Sequence, residues 1–98
     1  METYVILRRG GWRSAAELEE AAARSRRVGD EEMPDDVRWI RSYVTKEGDG
    51  SLGTICIYQG SSEEAIRDHA ERADLPCDEV VPVADTVIVR SDPEPASA

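Results

Sequence analysis

The sequence predicts a small α+β domain with element order β-α-β-β-α-β, and three observations carry that prediction. β-Branched and aromatic runs recur at residues 3–8, 37–45, 54–58 and 80–89. Two S-x-x-E boxes, at Ser14 to Glu17 and Ser61 to Glu64, open stretches of helical spacing, with the serine oxygen accepting an orphan N–H at each start. The connection 46–53 is too short for a crossover, so the strands on either side of it are antiparallel neighbours.

Each element follows from its residues. The first strand, 3–8, closes at Gly10 and Gly11. In the first helix Leu18, Ala21, Ala22, Ser25 and Val28 make a stripe of mostly small residues. Arg24, Arg26 and Arg27 fall in the last turn, where cations complement the carbonyl end, and Gly29 is the expected stop. An acidic loop, 30–36, leads to the second strand, whose alternation groups Trp39, Arg41 and Tyr43 on one face and Ile40, Ser42 and Val44 on the other. The third strand places Ile55 and Ile57 opposite Thr54, Cys56 and Tyr58. The second helix carries an inward stripe of Ala65, Ile66, His69, Ala70 and Ala73 and ends before Pro76. Pro82 confines the fourth strand to an edge or breaks it, and a flexible tail is expected over 91–98 after a single domain, 1–90. This order is the split βαβ, ferredoxin-like arrangement, with both helices on one face of an antiparallel sheet ordered 4-1-3-2.

Composition excludes several classes of function. The 98 residues carry a net charge of −9, which repels phosphate backbones and anionic lipid, so no nucleic acid or membrane partner is expected. No apolar run approaches the length of a signal core or a membrane span, and two cysteines without C-x-x-C spacing fit a reducing, cytoplasmic setting. No nucleophilic triad, phosphate-binding glycine loop or H-E-x-x-H motif occurs.

The sheet has apolar residues on both faces and only two helices to cover one of them. If Ile40, Val44, Ile55 and Ile57 face the helices, then Tyr4, Ile6, Trp39, Tyr43, Cys56 and Tyr58 face away and need a cover. A second copy of the sheet is the expected cover, giving a homodimeric α+β barrel or sandwich. Tyr4, Trp39, Arg41, Tyr43 and Tyr58 then form a candidate pocket for a small molecule, with Arg41 as its buried polar anchor. The competing reading is a dimer interface, which favours the same residue types.

The blocks Tyr4-Val-Ile, Trp39-Ile-Arg-Ser-Tyr-Val44, Cys56-Ile-Tyr58 and Glu64-Ala-Ile-Arg-Asp-His-Ala70, followed by Leu75-Pro76, resemble a family of small bacterial ferredoxin-like proteins described as nickel-binding and largely of unknown function. The resemblance spans about residues 3–90 and implies a homodimer and a site for nickel or another divalent metal ion, with His69 and Cys56 as the residues carried over. Arg41 stands where many relatives carry histidine, and a guanidinium cannot act as a ligand in its place. One histidine and two cysteines cannot close a four-ligand site within one chain, and strand alternation sets Cys56 and His69 on opposite sides of the sheet. The ordinary roles of these residues are a boundary histidine bonded to backbone and a cysteine packed as a small hydrophobe. The leading expectation is thus a nickel-binder-like homodimer without established catalysis. The alternative is a small-molecule-binding or cyclase/isomerase-like barrel using the pocket around Arg41 and Tyr43.

Overall fold

The computed structural model describes residues 1–94. Its elements are β1 (Glu2–Trp12), α1 (Ala15–Arg27), a π-helical turn (Val28–Glu32), β2 (Val37–Lys46), β3 (Leu52–Gly60), α2 (Glu63–Arg72) and β4 (Glu79–Pro82). The strands form one sheet in the order β2-β3-β1-β4, antiparallel throughout, which is the expected 4-1-3-2 order read from the other edge.

The helix ends show how local chemistry sets the boundaries. At α1, Ser14 Oγ accepts from Glu17 N at 3.2 Å, and the Glu17 carboxylate accepts from Arg13 N at 2.7 Å. The second cap lies one residue later than expected. Ser62 Oγ takes the Ala65 N–H at 3.1 Å, while Ser61 Oγ is committed to Asp36 at 3.0 Å. Gly29 does not stop α1, because the helix widens there into the π-helical turn and Gly29 is buried within it. Arg24 lies in the last turn of α1 as expected and also serves a second helix end: its Nε donates to the Ala73 carbonyl at the end of α2 at 2.9 Å. There Asp74, at φ 55°, makes a Schellman turn with Leu75 N bonded to Ala70 O at 2.9 Å, two residues before Pro76.

Pro82 ends β4, and only Val83 N, bonded to Thr3 O at 2.9 Å, prolongs the ladder. The β-forming residues beyond it remain outside the sheet, with Val87, Ile88 and Val89 exposed. Of the tail expected over 91–98, positions 95–98 lie outside the described residues, while Asp92 pairs with Arg41 at 3.3 Å and accepts from the Tyr43 hydroxyl at 2.8 Å.

The sheet lies the other way up from the expectation. Tyr4, Ile6, Arg8, Cys56 and Tyr58 are buried under the helices, whereas Val5, Leu7, Ile55 and Ile57 stand half-buried on the open face. Tyr58 establishes the orientation: its hydroxyl meets Ser25 Oγ of α1 at 2.6 Å, and its ring lies 5.3 Å from that of His69 on α2. The physical reason is size and polarity. The helices present Ala21, Ser25, Ala70 and Ala73, which leave depth for aromatic rings, and Ser25 satisfies a phenol that would otherwise be buried without a partner.

A β-bulge at Ile40 breaks the predicted alternation of β2. Trp39 pairs with Tyr58 and Arg41 with Ile57, so two β2 positions that should share a face are separated by an extra residue. Trp39 therefore joins the helix side, stacked on Tyr58 with centroids 6.0 Å apart and planes within 6°. Arg41 and Tyr43 lie on the open side in register with Ile57 and Ile55.

Candidate functional site

Between α1 and the β1-β3-β2 part of the sheet lies a cavity of about 310 Å³, walled by Trp12, Leu18, Trp39, Cys56, Tyr58 and Leu75, with Arg8 among its lining. Its shape follows from the small α1 stripe facing large strand residues. Trp12 reaches it because β1 does not end at the glycine pair. Gly10, at φ 56°, allows an irregularity between Arg8 and Trp12, after which the strand rejoins β3 at Leu52.

Arg8 is 2% exposed. Its Nη1 donates to the Pro76 carbonyl at 3.2 Å, and its guanidinium carbon stands 5.9 Å from the centroid of the Tyr58 ring, within cation–π reach. Burial pushes the Tyr58 phenol up, opposed by its bond to Ser25 and by the Arg8 charge.

His69 is buried, with Nε2 3.0 Å from the Ser25 carbonyl oxygen. A carbonyl only accepts, so Nε2 carries a proton. Burial pulls the imidazole pKa below its ordinary value, and the nearby Arg8 charge adds to that, while the bond to Ser25 and Asp68 oppose it. The Ser25 carbonyl has a second role, since Val28 N–H, at the junction with the π-helical turn, bonds to both Arg24 O and Ser25 O.

The five expected pocket residues are not brought together. Tyr4, Trp39 and Tyr58 lie on the helix side, Arg41 and Tyr43 on the other. Tyr4 directs its hydroxyl to Glu2 Oε2 at 2.8 Å, a bond that, ahead of burial, holds its phenol pKa up. Arg41 is not buried: its side chain is 46% exposed and meets the Asp92 carboxylate. Conversely, Cys56 and His69, expected on opposite sides of the sheet, both belong to the helix side.

A nickel ion does not fit the donors of one protomer. Cys56 Sγ contacts Thr54 Oγ1 at 3.2 Å, His69 Nε2 is bound to Ser25, and among the described residues no group of three or more His, Cys, Asp or Glu side chains is placed to hold a metal. Both cysteines are free.

Sequence reading missed Arg8 and Trp12. The signal for Arg8 was its place at i+2 and i+4 from Ile6 and Tyr4, a charge in the row of a buried strand face. For Trp12 it was an aromatic residue directly beyond a glycine pair, where a bulge serves as well as a strand end.

Fold and site together define a ferredoxin-like α+β protein with a ligand-sized cavity between its first helix and its sheet. A family model described as "Nickel responsive protein SCO4226-like" matches residues 4–83, and the chain belongs to that family. The crystal structure of SCO4226 from Streptomyces coelicolor A3(2) has the same fold, with a TM-score of 0.68 at 20% identity over 87% of this chain and 99% of that one. No curated protein matches the sequence. Among the described residues no helix is long and apolar enough to cross a membrane.

Proposed function

We propose that this chain is a cytoplasmic, homodimeric binding protein whose ligand is a small molecule held in the cavity between α1 and the sheet. The cavity is the observation that carries the reading. At about 310 Å³ it falls within the size of small-ligand sites, and its walls are apolar with a few hydroxyl groups and one buried charge. Both tryptophans of the chain, Trp12 and Trp39, line it, so occupancy has an intrinsic reporter. Titration with neutral phenylacetamide is expected to change tryptophan fluorescence saturably and to raise Tm; no change up to millimolar concentration counts against the cavity as a binding site.

The homodimer rests on the open face of the sheet. Val5, Leu7, Ile55 and Ile57 form half-buried apolar rows across the two central strands, flanked by Tyr43 on β2 and Val81 on β4. A second copy of this face covers them without leaving Arg41 buried and unpaired, because Arg41 already meets Asp92.

Nickel is the second reading, favoured by the placement of Cys56 and His69 on one side of the sheet. It needs further donors from beyond one protomer and a rotation of His69 away from Ser25. Dialysis of untagged protein against nickel is expected to leave no stoichiometric metal; one ion per protomer, lost in both His69→Gln and Cys56→Ser, is the result that would establish it. Catalysis of the cyclase or isomerase kind draws no support from the buried groups beside the cavity: burial raises the Tyr58 phenol, and the His69 Nε2–H is given to the Ser25 carbonyl.

A further inference from the structure

We propose that Arg8 makes this cavity selective for small carboxylates with an apolar body. The inference rests on the cavity reading above and adds the chemical class of the ligand.

The guanidinium is almost completely buried, yet none of the ion pairs among the described residues includes it. Its Nη1 donates to the Pro76 carbonyl, its aromatic contact is the Tyr58 ring, and the Tyr58 phenol lies near enough to take part in its hydrogen bonding. Arginine carries five N–H donors and does not deprotonate in proteins, so its charge cannot be relieved by titration. His69 on the neighbouring helix supplies no counter-charge, because an imidazole is neutral or cationic and its Nε2–H is given to Ser25. Glu19, the carboxylate among the cavity residues, is exposed on α1 and forms no ion pair with Arg8. A buried guanidinium that lines an apolar cavity and has no carboxylate partner among the described residues is the arrangement that a planar carboxylate completes with paired hydrogen bonds.

The surroundings select the rest of the ligand. Trp12, Leu18, Trp39 and Leu75 offer apolar and aromatic walls to a ring or a branched alkyl group. A single cation suits a monoanion, and the chain's net charge of −9 disfavours multiply charged phosphates.

The test compares isosteric acids and amides on the full chain, followed by tryptophan fluorescence at neutral pH: phenylacetate, cyclohexanecarboxylate and 4-methylpentanoate, each against its amide. At least one acid is expected to bind wild-type protein about ten- to a hundredfold more tightly than its amide, the worth of a charge-assisted hydrogen bond. In Arg8→Met that preference is expected to vanish while amide binding remains. Arg8→Lys, which keeps the charge without the fork, is expected to retain only part of it. Equal binding of every acid and its amide to the wild type overturns the role of Arg8 and leaves the cavity reading standing. Binding of neither acids nor amides overturns both. The wild-type comparison decides the matter even if the variants fail to fold.

Discussion

Trp39 and Arg41, two residues apart on β2, belong to opposite sides of the sheet, because Ile40 between them is the extra residue of a bulge. Trp39 stacks on Tyr58 beneath the helices, and Arg41 reaches Asp92 beyond the open face. One residue of register thus separates a cavity wall from a surface ion pair.

Deleting Ile40 should leave Trp39 opposite Tyr58 and Arg41 opposite Ile57 in a regular ladder. Deleting Ser42 should instead turn one end of β2 to the wrong face. Urea denaturation is expected to show the Ser42 deletion less stable than the Ile40 deletion by more than about 1 kcal/mol, given the scale of core disruption.

The Ser25–Tyr58 hydroxyl pair, at 2.6 Å in the core, should be energetically coupled. Ser25→Ala leaves the phenol buried without its partner and is expected to cost about 1–3 kcal/mol. Tyr58→Phe removes the group that needs satisfying, so in a double-mutant cycle Ser25→Ala should cost far less once Tyr58→Phe is already in place; additive losses would show that the contact contributes nothing.

Gly53 has no room for a side chain. A Cβ there would stand 2.6 Å from the Arg8 carbonyl oxygen, a backbone atom of the adjacent strand that cannot swing aside. Gly53→Ala is expected to lower stability by about 1–3 kcal/mol, read from the denaturation midpoint at unchanged m-value.

His69 should make stability fall on the acid side. Its folded-state pKa lies below the ordinary value of about 6.5, so the unfolded chain binds the proton first. The neutral ring's contribution is therefore complete above that value and is lost as pH drops from there through the lower folded-state pKa. The stability difference between wild type and His69→Gln is expected to shrink between pH 7.5 and 5.5; a constant difference would mean that the ring does not titrate with unfolding.

Ile57, central on the open face between Val5 and Arg41, tests the dimer. Ile57→Lys is expected to sediment as a monomer at micromolar concentration, where the wild type sediments as a dimer, with its far-UV spectrum unchanged. A wild type that is itself monomeric would leave the open face without the proposed partner.

The element order was legible in the chain because capping serines, helical stripes and β-branched runs are local signals, and the sheet order followed from short connections and right-handed crossovers. Strand ends were less so. Gly10 and Gly11 read as a stop but form an irregularity within β1, and Gly29 lies inside a widened turn, because glycine permits unusual backbone without dictating which kind.

Which face of the sheet meets the helices was decided only by packing. Ile55 and Ile57 are more hydrophobic than Cys56 and Tyr58, and a transfer argument buries them first. The helices, however, present alanines and a serine, and rings with a hydroxyl partner reach across that depth where branched aliphatics would fall shorter, still leaving the cavity beside α1. That choice gathers Arg8, Trp12, Trp39 and Tyr58, drawn from three strands, around one cavity. It also sends Arg41 and Tyr43 to the other side. Composition and periodicity establish that both sheet faces are apolar, but shape complementarity and the demand that a buried phenol be satisfied select between them, and those are properties of contacts between segments far apart in the chain.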